Sequence, residues 1–408
     1  MGGSTSVLIN LLVGFFVGLS SGATVVISQF YGASKADKVH WAVHTSIAFS
    51  VIGGIVMMVV GIGGSYWALK AMKTPEDVMG PSLAYLRIYF LGMTANLIYN
   101  MGAGILRAVG DSKGPLYFLI ASCFTNIALD VLLVAVLRIG VAGAALATIA
   151  SQFLSALLVV NALRKAGDIY KLQWREVRVD RRMLGRIVRI GIPAGMQSVM
   201  YNLSNIIIQA GVNTLGTDNV TAWATYGKVD GLFWMMINAL GIAVTAFVGQ
   251  NFGAGRTDRV RKGAGACMII GTVMTVAAGA ALYHWGQYLV YMFTTDAQVQ
   301  DISIRLLHFM VPTFMTYIAI EILSGTLRGV GDAWMPLVIT GVGICGIRVL
   351  WILFALPHFH TIIGAAFCYP LTWSLTTVAF VIYYYFFSSL SRWKVKPFWR
   401  KLKRYKPF

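Results

Sequence analysis

The stretch Leu106-Arg107-Ala108-Val109-Gly110-Asp111 returns as Leu327-Arg328-Gly329-Val330-Gly331-Asp332, 221 residues further on. The same shift, with no gap, carries Gln29, Gly32, Ala33, Asp37 and Val39 onto Gln250, Gly253, Ala254, Asp258 and Val260. It also carries Gly143-Ala144-Ala145 onto Gly364-Ala365-Ala366. One offset that holds from Gln29 to Ala145 is the mark of a duplicated chain, and each half must then repeat one set of elements. Both copies of the six-residue stretch lie between apolar runs. There Gly interrupts a helix, and Arg with Asp makes a short polar connection.

The runs themselves decide the solvent. Of 408 residues, 57% are hydrophobic and only 12% charged, against about 25% charged in a soluble domain. Apolar stretches of about 20 residues or more recur from end to end, each able to cross a hydrocarbon core of about 30 Å. The short alternating segments of a β-barrel are missing. The expected fold is therefore an all-α polytopic membrane protein of two helical lobes. Eleven spans are predicted, near 5–28, 41–69, 82–104, 116–137, 140–163, 190–213, 223–250, 263–293, 302–324, 336–357 and 362–388. They give an N-terminal lobe over 1–163 with five spans, a basic linker 164–189, a C-terminal lobe over 190–388 with six spans, and a basic tail 389–408.

A net charge of +18 invites a nucleic-acid partner, but the positions of the charges argue against one. Lys and Arg sit between spans and in the tail, and 26 of the 33 fall on one side once the spans are counted off. Basic loops mark the cytoplasmic side. Linker and C-terminus are thus expected in the cytoplasm of a bacterial plasma membrane. Corresponding loops of the two halves share a side, so the repeats are parallel, related by an axis along the membrane normal. Met1 corresponds to Ala222, which leaves the sixth span without a counterpart in the first half. A further first span, starting in the cytoplasm, is expected to precede this sequence.

Chemistry-bearing constellations are few. Cys123, Cys267, Cys345 and Cys368 lie inside apolar runs, far apart and without metal spacing, and read as small core residues. No nucleophile–base set and no P-loop occurs, so an enzyme is not expected, no cofactor is implied, and energy must come from an ion gradient. The expected partners are membrane lipid and a small-molecule substrate, handled by a monomer.

Asp130 stands out. A carboxylate within a span costs at least about 2.5–3.5 kcal/mol and usually faces a cavity or a partner. Asn126 is one turn earlier on the same face, and Thr148 lies at similar depth in the next span. Three oxygen-bearing side chains at one depth suit Na+ or a proton; the alternative is a hydrogen bond pinning two helices. Glu321 is an intramembrane acid of the second half, with Arg348 in the next span as its partner in a structural ion pair; a role in coupling or in binding a cationic substrate is the alternative. Asn202, Asn205, Gln209 and Asn213 make one stripe in the sixth span, lining a substrate cavity or bonding helix to helix. Lys228 and Asp230 read as interfacial groups beside Trp223 and Trp234. Arg107 with Asp111, and Arg328 with Asp332, read as structural pairs that cap helix ends; a gate is the alternative.

The segment Gly104-Ile-Leu-Arg-Ala-Val-Gly-Asp111 and its second copy resemble the multidrug and toxic compound extrusion (MATE) family. So do Ile27-Ser-Gln-Phe-Tyr-Gly-Ala33, Asn126-Ile-Ala-Leu-Asp130, Gly143-Ala-Ala-Leu-Ala-Thr148 and Gly191-Ile-Pro-Ala194. The resemblance covers essentially the whole chain. It implies twelve helices in two six-helix lobes around a central cavity, and cation-coupled export of organic compounds by alternating access. The NorM-like branch carries a Glu about eight residues after the proline of its seventh helix; here that region reads Tyr201-Asn202. The DinF-like branch binds its cation in the first lobe, and Asn126, Asp130 and Thr148 match three of its residues. The resemblance therefore implies an antiporter closer to the DinF-like branch, lacking the family's first helix. A flippase for lipid-linked precursors, or an inactive shortened relative, is the alternative.

Overall fold

A computed structural model describes residues 2–392 except 73 and 168. Asp168 of the linker and residues 393–408 of the predicted basic tail lie outside the described residues. Among the described residues all regular elements are helical, as lipid demands of a chain that must satisfy its own backbone groups. Nine helical stretches among these residues are long and apolar enough to cross a membrane. In chain order the helices are α1 (Gly2–Gly32), α2 (Ala36–Ala71), α3 (Glu76–Leu91), α4 (Met93–Val109), α5 (Lys113–Asp130), α6 (Val141–Lys165), α7 (Arg181–Asn213), α8 (Thr217–Gly253), α9 (Thr257–Phe293), α10 (Ala297–Met310) and α11 (Ile318–Gly329). The helical stretches Trp334–Phe359 and Ile362–Phe387 follow.

Two predicted spans are helical but not among the nine. The span 190–213 is the latter part of α7, whose amide stripe lowers its hydropathy. The span 82–104 is two helices rather than one, because α3 stops at Leu91 and α4 starts at Met93. Gly92 sits at that break, where a Cβ would lie 2.6 Å from Ile149 and 2.7 Å from the Gln152 side chain. The second half breaks at the equivalent place: Val311–Thr316 forms a 3-10 turn between α10 and α11. There Pro312 withholds a backbone donor, and the Thr377 hydroxyl donates to the Thr316 carbonyl at 2.6 Å.

Other irregularities also repeat. Gly110 and Gly331 end α4 and α11 with φ of +101° and +95°, a conformation glycine adopts without steric cost. A π-helical turn at Val131–Val136 follows α5, and Trp351–Ala355 repeats it in the second half.

The chain forms two compact units. The first holds residues up to Ile206 with Thr245–Arg256 and Arg328–Leu337. Its core includes Ile27, Val43, Ile47, Ile105, Leu106, Val159 and Ile187. In it α1 and α7 cross through glycines: a Cβ on Gly18 would come within 2.5 Å of Gly195, and one on Gly22 within 2.3 Å of the Ile187 carbonyl. Small residues at such crossings let backbones approach where lipid gives no hydrophobic drive. The connection after α6 folds back onto this core. Leu172 is buried, and its N–H donates to the Leu163 carbonyl at 2.9 Å. Arg181, Arg182, Arg186 and Arg189, read as linker residues, belong to α7. The second unit comprises Ile207–Val244, Thr257–Leu327 and the described residues from Val338 on. Phe233, Phe314 and Trp373 are among its largest buried side chains. Cys345 and Cys368 are buried as expected of core thiols, whereas Cys123 is exposed on α5.

Candidate functional site

In the first unit α5 and α6 run antiparallel, and Ser122 on α5 donates to the Ser151 carbonyl at 2.7 Å. Further along the pair, Leu133 packs where a Gly143 Cβ would stand 3.2 Å away. This register sets Asn126 level with Thr148 and places Asp130 one turn further, level with Gly143–Ala144. The Thr148 hydroxyl donates to the Ala144 carbonyl at 2.9 Å, toward the Asp130 level. Asp130 Oδ1 is buried and has no hydrogen-bond partner. A buried carboxylate oxygen without a donor is costly, and a proton or a small cation would relieve it. The π turn Val131–Val136 begins at the next residue, and such turns often lie at functional sites.

Three amides of the α7 stripe bond along their own helix. Asn202 donates to the Ser198 carbonyl at 2.9 Å and Gln209 to Asn213 Oδ1 at 2.9 Å. Asn205 and Asn213 are exposed, while Asn202 lies 3.3 Å from where a Gly14 Cβ would stand on α1.

The second unit holds the group that the sequence reading missed. Asp230 was expected at the membrane interface. Instead its Oδ1 is buried, and Oδ2 accepts from Trp234 Nε1 at 2.6 Å. The Trp234 ring meets Tyr317 at 4.7 Å and Trp373 at 5.8 Å, and Tyr369 packs on Trp373 at 5.3 Å. On α11 the Glu321 carboxylate accepts from the Tyr317 hydroxyl at 3.3 Å. It presses so closely on α8 that a Gly241 Cβ would fall 1.9 Å from it. Arg348 is 3% exposed, its guanidinium 4.1 Å over the Tyr369 ring, with Nε donating to Thr372 at 3.4 Å. Asp230, Glu321 and Arg348 thus share one aromatic surround. The signal in the sequence was the i, i+4 pair Asp230/Trp234, read as a belt because Tyr317 and Trp373, which pack on Trp234, lie on distant spans. Lys228 is exposed, its ammonium 4.9 Å from the Phe293 ring centre.

The repeated motif also acquires a role. Asp111 Oδ1 accepts from the Gly114 N–H at 2.9 Å, and Asp332 Oδ1 from the Met335 N–H at 3.4 Å. Each acid thereby caps the helix that follows. Arg328 donates to Gln197 at 3.1 Å. The repeated glutamines cross over between copies: Gln29 donates to the Gly329 carbonyl at 2.9 Å, and Gln250 to the Ala108 carbonyl at 2.7 Å. Gly32 and Gly253 allow it, since a Cβ on either would fall 1.9 Å from the carbonyl of Gln250 or Gln29 respectively.

A duplicated multi-pass membrane chain, all-helical among the described residues and with buried carboxylates inside its helix packing, has the architecture of a membrane transporter. The MatE family profile matches residues 2–132 and 193–354, and the chain belongs to that family of membrane transporters. It is 31% identical over 406 residues to the probable multidrug resistance protein YoeA of Bacillus subtilis, covering 96% of this chain and 86% of that one. It is 24% identical over 340 residues to the multidrug export protein MepA of Staphylococcus aureus, covering 82% and 74%. The fold matches an outward-facing multidrug resistance MATE family transporter of the MOP superfamily with a TM-score of 0.89, at 19% identity, over 94% of this chain and 86% of that one.

Proposed function

We propose that the protein is a secondary-active antiporter that exports small organic, cationic compounds across a bacterial plasma membrane. Exchange is driven by a Na+ or proton gradient through alternating access. The relatives named for multidrug resistance and export support the substrate class. The observation that carries the coupling reading is Asp130: a buried carboxylate oxygen with no donor, at the junction of α5 and a π turn. In this reading Asn126 and Thr148 supply further oxygens to the set, and their match to the DinF-like pattern supports that branch. The chemistry of the set fits a hard cation or a proton. Neutralising Asp130 biases the protein between two conformations, by as much as the ion's affinity for them differs. The linker and the C-terminus are cytoplasmic in this reading, and one chain supplies all the residues, so it works as a monomer.

The test is dye transport in proteoliposomes under an imposed Na+ or proton gradient. The native chain accumulates a cationic dye only with the gradient. Asp130→Asn inserts and folds normally but loses gradient-driven transport by about 100-fold, the scale set by a coupling free energy of a few kcal/mol. Asn126→Ala and Thr148→Ala lose less. Full transport by Asp130→Asn would move the coupling role to Glu321, and movement of a lipid-linked precursor in place of the dye would favour the flippase reading.

A further inference from the structure

His40 and His44 stand one turn apart on α2, their rings 4.1 Å apart and tilted by 37°. The chain from α6 to α7 brings Glu176, on the short turn Trp174–Glu176, against them. The Glu176 carboxylate contacts His40 Nε2. Ligand atoms of the three residues all lie within 4.8 Å of one another. None of these residues belongs to the coupling set or to the aromatic cluster. We propose that they form a binding site for a divalent transition-metal ion of the Zn2+ class, which pins the α6–α7 connection to the start of α2.

The donor set selects the metal. Two imidazoles and one carboxylate match zinc sites that keep a fourth position open. Ca2+ and Mg2+ call for oxygen ligands throughout, and imidazole nitrogen shifts the preference to transition ions. His44 is prepared as a ligand. Its Nδ1 bonds the His40 carbonyl at 2.8 Å, and its Nε2 faces the Gln173 N–H at 3.1 Å. An N–H donor facing Nε2 makes that nitrogen the acceptor, so Nδ1 carries the proton. An Nδ1–H held by a backbone carbonyl is the outer contact that orients metal-bound histidines. The ion takes the place that the Gln173 N–H now fills. Donors about 2.0–2.2 Å from zinc stand about 3.3 Å apart, so the widest gap closes by about 1.5 Å. Glu176 is the partner free to move: its side chain is 44% exposed, against 24% for His40.

The experiment is Zn2+ binding to the purified full-length chain in detergent, measured by competition with a chromogenic chelator, with Mg2+ as the contrast ion. The variants are His40→Ala and Glu176→Gln, because removing the fully buried His44 would empty a core position. The native chain should bind one Zn2+ and no Mg2+. Each variant should bind at least about 10-fold more weakly while keeping the native melting temperature. Zn2+ should also slow tryptic cleavage at Lys171 and Arg175 in the native chain, and not in the variants. Equal Zn2+ affinity in native and variant chains, or no stoichiometric binding by the native chain, would overturn the proposal.

Discussion

Gly110 and Gly331 turn with the same left-handed backbone, and Gly92 and the Val311–Thr316 turn interrupt the same span, yet the side chains around these irregularities have gone separate ways. By the 221-residue offset Asn96 and Asn100 correspond to Tyr317 and Glu321, Asp130 to Trp351, Thr148 to Tyr369, and Gln152 to Trp373. Even the contact persists while its chemistry changes. Asn100 donates to Asn96 at 3.0 Å, where the Tyr317 hydroxyl donates to Glu321 at 3.3 Å. The difference teaches that duplication here preserved what packing requires and released what it does not. A backbone break must fit its neighbours in both copies. Under the coupling role proposed for Asp130, an acid is needed in one copy alone, and the equivalent space in the other is filled with aromatic rings.

The first way to break this comparison is to attack what the halves share. Gly32→Leu and Gly253→Leu should each abolish most folded protein, because backbone meets backbone and the overpacking exceeds about 3 kcal/mol. Monodisperse yield in detergent would show it, with Gly63→Leu, which has open space around it, as the harmless control. Unequal loss between Gly32 and Gly253 would mean the two crossings are not equivalent.

The next largest effect should come from the second half's own chemistry. Arg348→Gln strips the cation from a buried aromatic site and should cost on the order of 3 kcal/mol, since a desolvated contact with the Tyr369 ring and a hydrogen bond to Thr372 are lost. If Glu321 only balances that charge, Glu321→Gln added to Arg348→Gln should restore the thermal stability lost and leave transport intact. A stable double variant without transport would give Glu321 a working part in export.

Smaller still are the crossed glutamines. Gln29→Ala and Gln250→Ala should each cost about 1 kcal/mol, the worth of one hydrogen bond, and by the same amount. Thermal denaturation of both variants side by side measures the symmetry.

The sequence carried the repeat, the spans and the polar outliers because each leaves a mark within one stretch of chain. Gly92 left none: hydropathy runs on through it, and the break depends on Ile149 and Gln152 of α6. Asp230 misled because its nearness to a span end suggested an interface, whereas its carboxylate is buried and bonded to Trp234, whose ring packs on Tyr317 and Trp373. His40 and His44 were visible as an i, i+4 pair, but only the fold brings Glu176 to them. The arginines of the predicted linker looked like loop because charge was read as an end of helix; α7 simply starts earlier, at Arg181.

The asymmetry between halves is tested most directly by equilibrium binding of 22Na+, and of protons by pH-jump titration, to detergent-purified native, Asp130→Asn and Glu321→Gln chains. The account predicts that Asp130→Asn loses the coupling ion, Na+ or proton, while Glu321→Gln keeps native stoichiometry. Loss of the ion in Glu321→Gln with full binding in Asp130→Asn would contradict it.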